Sequence, residues 1–177
     1  SSEIMGVGQL SGDRGRTVVV LQPSYLPWLG YFDQLCKSDV FVLYDDVQYD
    51  KHGWRNRNRI KTAQGVRWLT VPVHAEAEKR PLLGEVLIDP RRDWKKKHWE
   101  TIRQSYGRTP FFRDYQGLFA SAYDRPWERL LDLDLHFISG LAAALGIDHR
   151  KIQLASSLAV TGDRLGRLGP ALQPRRR

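Results

Sequence analysis

A proline-rich aromatic segment is the first group of residues suited to binding chemistry. Two prolines make it a rigid turn directly after the apolar run 17–21. A helix is predicted to begin at Gly30, and the free N–H groups of a helix N-terminus favour phosphate. In the alternative interpretation the prolines only shape a turn. The residues of this segment predicted to contact substrate are Gln22, Pro23, Tyr25, Pro27, Gly30 and Tyr31.

A pair of carboxylates, Asp45 and Asp46, follows the apolar run 40–44, and Gln48 comes shortly after them. Such a pair can hold Mg²⁺, bind ribose hydroxyls or accept a proton as a general base. Alternatively, the two carboxylates only cap a turn. Because ligands in open α/β sheets bind beyond the carboxyl ends of the strands, we expect this pair to lie beside the proline-rich segment.

Arginines alternate with asparagines from Arg55 to Arg59. In an extended chain Arg55, Arg57 and Arg59 would share one face, since side chains alternate. Three guanidinium groups along about 13 Å suit a diphosphate, a triphosphate or an RNA backbone. The alternative is a charged edge strand that resists aggregation, but such a strand would favour lysine over arginine. The full set predicted to bind the anion is Lys51, Trp54, Arg55, Asn56, Arg57, Asn58 and Arg59.

His98 follows three lysines within one turn of a predicted helix, and it is a candidate general acid or base. A hydrogen-bonded core histidine is the alternative. Cys36, the only cysteine, is expected on the buried face of a helix and is not expected to act as a nucleophile. The sequence contains no Walker A, GxGxxG, GxSxG or HExxH motif, and the spacing of His52, His74, His136 and His149 is not typical of metal ligands.

These candidate groups are separated by segments with clear helix and strand patterns. The β-branched runs 17–21 and 40–44 flank a predicted helix over 30–37, which makes a βαβ unit with two parallel, adjacent strands. Gln64-Gly65 predicts a hairpin between 57–63 and 66–73. The remaining predicted elements are a short strand at 85–88, helices at 92–106, 111–123 and 127–145, and a strand at 151–155.

The pattern predicts an α/β fold, namely a three-layer Rossmann-like domain with a mostly parallel sheet, an inserted β-hairpin and C-terminal helices. We expect a single domain over 17–160, a flexible leader at 1–16 and a disordered or truncated tail at 161–177.

Charge and composition restrict the partners of this chain. The 177 residues carry a net charge of +8, and residues 51–113 alone carry +10. Such a block attracts phosphorylated small molecules, nucleotide sugars or RNA such as transfer RNA. A single cysteine excludes a disulfide framework, and no apolar run reaches the length of a membrane span. With no secretory signal pattern, a cytoplasmic protein is expected.

Four segments of the sequence resemble the WbqC-like family. They are the proline-rich segment 22–32, the strand and carboxylates at 39–49, the arginine segment 54–61 and the hairpin strand 68–73. The resemblance implies a transferase that moves glycine or another acyl group onto an amino sugar, in bacterial surface-polysaccharide (O-antigen) or secondary-metabolite pathways. It also implies that the C-terminal part of the family is missing after residue 168. A non-catalytic RNA- or nucleotide-binding protein, or an inactive truncated remnant, are the competing hypotheses.

Overall fold

A computed structural model describes residues 8–9 and 15–158. The predicted tail and most of the predicted leader lie outside the described residues. The main elements in chain order are β1 (Gly8–Gln9), β2 (Thr17–Leu21), α1 (Leu29–Lys37), β3 (Val40–Leu43), β4 (Arg57–Thr62), β5 (Gly65–Thr70), α2 (Trp94–Tyr106), α3 (Phe112–Asp124), α4 (Leu130–Ala144) and β6 (Ile152–Leu154). Short 3₁₀ helices lie at Ala75–Lys79, Leu83–Glu85, His149–Lys151 and Ala155–Leu158.

The central sheet has the strand order β1-β2-β3-β6. Strands β2 and β3 are parallel neighbours, with Leu21 opposite Leu43, and β6 runs parallel to β3 on its other side. Both inner strands are uninterrupted apolar runs because both of their faces are covered. The predicted parallel βαβ unit and the α/β fold are therefore confirmed.

Helices α1 and α4 pack on the same face of this sheet. Tyr31 and Leu35 from α1 and Ile138 from α4 meet Phe41 and Leu43 in one buried cluster. The opposite face packs, among the described residues, against Val47, Ala155 and Leu158.

Cys36 is exposed, so the expectation that it lies on the buried face of α1 is wrong. The buried face of that helix contains Tyr31, Phe32 and Leu35, and Cys36, directly after Leu35, lies on the exposed face.

Strands β4 and β5 form a separate antiparallel hairpin, as predicted. Gly65 follows the turn with a φ of 101°, a conformation that glycine adopts without strain. The predicted strand at 85–88 is wrong: the structure has a 3₁₀ helix at Leu83–Glu85, and then isolated bridges from Leu87 to Arg129 and from Ile88 to Val73.

Within residues 8–9 and 15–158, no helix is long and apolar enough to cross a membrane.

Candidate functional site

Direct hydrogen bonds join the proline-rich segment to the arginine segment at the carboxyl end of β2. The Tyr25 amide donates to the Trp54 carbonyl at 3.2 Å, and Arg55 Nη1 donates to the Pro23 carbonyl at 2.8 Å. Asn58 Nδ2 donates to the carbonyls of Tyr25 and Leu26. Two sequence-distant groups of candidate residues therefore form one structural unit.

The N-terminus of α1 fixes the shape of this unit. The helix begins at Leu29 rather than Gly30, and the Trp28 indole folds over it, so a Cβ on Gly30 would lie only 2.6 Å from Trp28 Nε1. Tyr31, directly after Gly30, donates from its hydroxyl to the Gln22 carbonyl at 3.3 Å. Gly30 and Tyr31 thus shape the loop. Pro27 follows Leu26, which has a positive φ of 47°, so the chain turns sharply just before it.

The arginines do not form one row, because β4 begins at Arg57 and Arg55 precedes the strand. Arg57 lies 4.7 Å from the centroid of the Trp68 ring, and Arg59 lies 5.3 Å from Trp54 and 5.4 Å from Trp68. We call these four residues, Trp54, Arg57, Arg59 and Trp68, the Arg–Trp surface. Trp68 was not among the predicted site residues, although the hairpin register that places it opposite Arg59 follows from the turn at Gly65.

Other members of the predicted anion-binding set have structural contacts. Lys51 pairs with Glu78 at 2.7 Å on the surface. Asn56 is buried, and its Nδ2 donates to the Val71 carbonyl at 2.9 Å. Gln48 forms an isolated bridge with Leu82. Of these contacts, only the one made by Asn56 is buried, and it ties the residue before β4 to the residue after β5.

The Asp45 carboxylate is bound to Ser156, which lies just after β6. Oδ1 accepts from the Ser156 amide at 3.0 Å, and Oδ2 accepts from its hydroxyl at 2.6 Å. Asp46 is partly exposed beside it. No group of three or more His, Cys, Asp or Glu residues in the described part of the chain is arranged to hold a metal ion. The possible Mg²⁺ at this pair stays a prediction.

His98 lies in the interior, away from the surface arginines, and is only 3% exposed. Its Nδ1 is 2.9 Å from the Tyr25 hydroxyl, which also contacts the Tyr123 hydroxyl. Burial lowers the pKa of His98 to about 4, against the opposing effect of a hydrogen bond with the backbone of Thr70. At neutral pH the ring is therefore uncharged and fixes Tyr25, which is itself fully buried.

Asp134 was missed in the sequence, and it is the most unusual carboxylate of the structure. It lies in α4 between Leu130 and Ile138, and all three side chains are fully buried. Neither of its carboxylate oxygens has a hydrogen-bond partner among the described residues. Burial raises the pKa of Asp134 well above its usual value, and only the nearby Arg55 opposes that rise. An acidic residue on the apolar face of α4, four residues from both Leu130 and Ile138, was the available signal.

An apolar cavity of about 390 Å³ opens beside the proline-rich segment. Its lining includes Leu26 and Pro27, Ile60 of β4, and Tyr106 and Phe112 of the helical part. Its size falls within the range of roughly 300–1,000 Å³ found for small-molecule sites.

Comparison with known proteins identifies the group to which this arrangement belongs. Residues 22–173 match the WbqC-like protein family, so the match includes the proline-rich segment, both aspartates and the arginine segment. The chain belongs to the WbqC-like family. The resemblance expected from the sequence is thereby confirmed.

This WbqC-like protein is also similar to the uncharacterized protein Rv1507c of Mycobacterium tuberculosis. The two are 38% identical over 136 residues, which cover 76% of this chain and 58% of the relative. The WbqC-like chain thus spans less than two thirds of that relative's length. No solved structure matches the chain.

Proposed function

We propose that this WbqC-like protein is part of a transferase that binds a phosphorylated or nucleotide-linked substrate. The group transferred would be an acyl or aminoacyl group such as glycyl, and the acceptor an amino sugar or a similar amine. The proposed pathway is bacterial polysaccharide or secondary-metabolite biosynthesis. The observation that carries the proposal is the hydrogen-bonded union of the proline-rich segment with the arginine segment at the carboxyl end of β2.

The Arg–Trp surface supports an anionic substrate with a planar group. Arg59 is exposed and rests on Trp54 and Trp68, and Trp68 is 48% exposed. A guanidinium group recognises phosphate through paired hydrogen bonds, and an exposed indole stacks on a base or a sugar ring. Together these features favour a nucleotide sugar over a simple phosphate.

We assign the proton-accepting role to Asp46 rather than to Asp45 or His98. Both Asp45 oxygens are bound to Ser156, so this residue serves the structure. The His98 ring is buried and hydrogen-bonded to Tyr25. Transfer of an acyl group to an amine needs one base and accurate positioning of the two substrates. The cavity beside Leu26 and Pro27 offers an apolar environment for the acyl part of the donor.

A second candidate function is non-catalytic binding of RNA, including transfer RNA. The exposed Trp68 and its neighbouring arginines favour it, since stacking on aromatic rings and a basic surface are features of single-stranded nucleic-acid binding. Salt dependence separates the two functions. RNA binding releases counterions from many phosphates, so its affinity falls steeply with salt, whereas a nucleotide sugar involves only a few charges.

The experiment is a thermal-shift and calorimetric screen with UDP-glucose, simple nucleotides and transfer RNA. UDP-glucose should bind the wild type and lose at least about tenfold in affinity in Arg59→Ala, because one charge-assisted contact contributes about 1.5–3 kcal/mol. The matched control is Arg67→Ala, which removes an exposed arginine from the opposite face of the same hairpin. Equal losses in both variants would contradict the proposal and indicate a diffuse charged surface.

A further inference from the structure

The apolar cavity beside the proline-rich segment extends from the protein surface into the core. Phe111, just before α3, belongs to its lining and is 70% exposed, whereas Ile102 of α2 and Phe112 of α3 are 4% and 8% exposed. The cavity therefore has an entrance at Phe111 and a buried floor. An apolar ligand that enters it would also cover the exposed ring of Phe111, which is favourable.

The lining of the cavity suits an uncharged group. All of the described residues that line it are aliphatic, aromatic or proline, with the exception of Thr109. The Thr109 hydroxyl already donates to the Tyr106 carbonyl at 2.7 Å, and the Tyr106 hydroxyl accepts from the Lys61 amide at 3.2 Å. An ammonium or carboxylate placed here would lose its hydration without gaining a charged partner from the lining, which is costly. The lining therefore selects an apolar group.

The hairpin separates the cavity from the Arg–Trp surface. The Asn58 side chain donates to the Leu26 carbonyl, and this bond holds the proline-rich wall of the cavity against β4. Ile60 lines the cavity from the same face of β4 as Asn58, since side chains alternate along a strand. Arg59 lies between these two residues, and its side chain contacts Trp68 on the opposite face. An apolar group in the cavity therefore does not displace an anion from the Arg–Trp surface.

We propose that the cavity binds the acyl chain of the donor, and that this chain is uncharged, apolar and of medium length rather than glycyl. The inference rests on the proposed transfer of an acyl group. A methylene group takes up about the volume of one water molecule, roughly 30 Å³, so a chain of about eight carbons fits within the cavity of about 390 Å³. A glycyl group would bring a charged ammonium and too little apolar surface to fill this space.

The test compares, by NMR titration of the full chain, the affinity for N-acetylcysteamine thioesters that differ only in their acyl group. From the acetyl to the octanoyl thioester, the affinity should rise by up to about fourfold for each added methylene, which corresponds to about 0.8 kcal/mol. The glycyl thioester should bind no better than the acetyl thioester. An octanoyl thioester that binds no more tightly than the acetyl one, or a glycyl thioester that equals the octanoyl one, overturns the inference.

Two variants show whether the chain occupies this cavity. Ile60→Trp fills it from β4 and should abolish the gain with chain length, whereas Val66→Trp, at an exposed position of the same hairpin outside the lining, should keep it. Phe111→Ser removes apolar surface at the entrance and should weaken octanoyl binding by about threefold or more, and the exposed Leu145→Ser at the end of α4 is its control. Circular dichroism checks the fold of each variant. An octanoyl affinity that is unchanged in Phe111→Ser, or in a folded Ile60→Trp, overturns the inference.

Failure of this inference and failure of the nucleotide-sugar proposal give different results. If UDP-glucose does not bind while the thioester series behaves as expected, the nucleotide-sugar proposal fails and the cavity inference stands. If UDP-glucose binds while the acetyl and octanoyl thioesters bind equally, the cavity inference is overturned and the nucleotide-sugar proposal stands.

Discussion

The Asp134 carboxyl makes the stability of the free protein depend on pH in an unusual direction. Burial raises the pKa of Asp134 far above the value of about 3.9 that it has in the unfolded chain. Between those two values the folded protein binds more protons at this site than the unfolded chain does. The contribution of this site to the stability of the folded protein is therefore fully present below about pH 3.9, and it is lost as pH rises toward the pKa of Asp134 in the folded protein.

The size of this pH effect follows from the one proton that Asp134 binds in the folded protein and loses on unfolding. Each pH unit in this window costs about 1.4 kcal/mol of unfolding free energy. Asp134→Asn has no charge to bury, so its stability relative to the wild type should rise by about 1.4 kcal/mol per pH unit above about pH 4 and then level off. Urea unfolding at a series of pH values measures this difference.

Asp132→Asn is the control for this prediction, because Asp132 lies two residues away in α4 with its side chain exposed. Its difference from the wild type should stay within about 0.5 kcal/mol at every pH. A wild-type minus Asp134→Asn difference that does not change with pH would refute the view that Asp134 is a poorly compensated buried acid.

Two further predictions concern the core. Burial lowers the pKa of His98 to about 4, so between about pH 4 and 6.5 the unfolded chain binds more protons at this site than the folded protein does. The free energy of unfolding should therefore fall by up to about 3 kcal/mol as pH falls through that window. In urea unfolding at acid pH, His98→Gln should remove this loss. Gly140→Ala should be less stabilising than Gly117→Ala by about 1–3 kcal/mol, because its new Cβ would lie 2.5 Å from Leu118 Cδ1 and that side chain would have to shift. Gly117→Ala, which has open space around its new Cβ in α3, should raise the free energy of unfolding by about 0.5–1 kcal/mol. Equal effects of the two substitutions in urea unfolding would show that the α3–α4 contact is not tight.

The central sheet and the hairpin could be predicted from the sequence because their signals are local. Val18 to Leu21 and Val40 to Leu43 are apolar runs with a short helix between them, and this spacing is typical of a parallel crossover. Gly65 predicts the hairpin turn because glycine adopts a positive φ without strain. The 85–88 segment could not be assigned in this way, since Leu87 forms its bridge with Arg129, more than forty residues away, and Ile88 forms its bridge with Val73.

The candidate site was predicted only in part, because alternation within a strand does not say where that strand begins. Arg55, Arg57 and Arg59 have the same spacing, yet only the last two belong to β4. Arg55 turns inward to Pro23 and toward Asp134, two partners distant in the sequence. Asp134 is a polar residue on the apolar face of α4. Whether it is buried depends on what α4 packs against, and the sequence does not show this.

The bond between Asp45 and Ser156 joins residues 111 positions apart, and this separation bears on how the domain is synthesised. On the ribosome β2, α1 and β3 emerge early and can pair at once. Strand β6, which completes the parallel edge, is translated only after the hairpin and all three later helices. Until β6 is translated, β3 therefore has an open edge that can pair with wrong partners. Nascent chains of this protein should depend on chaperones until Ser156 has left the exit tunnel.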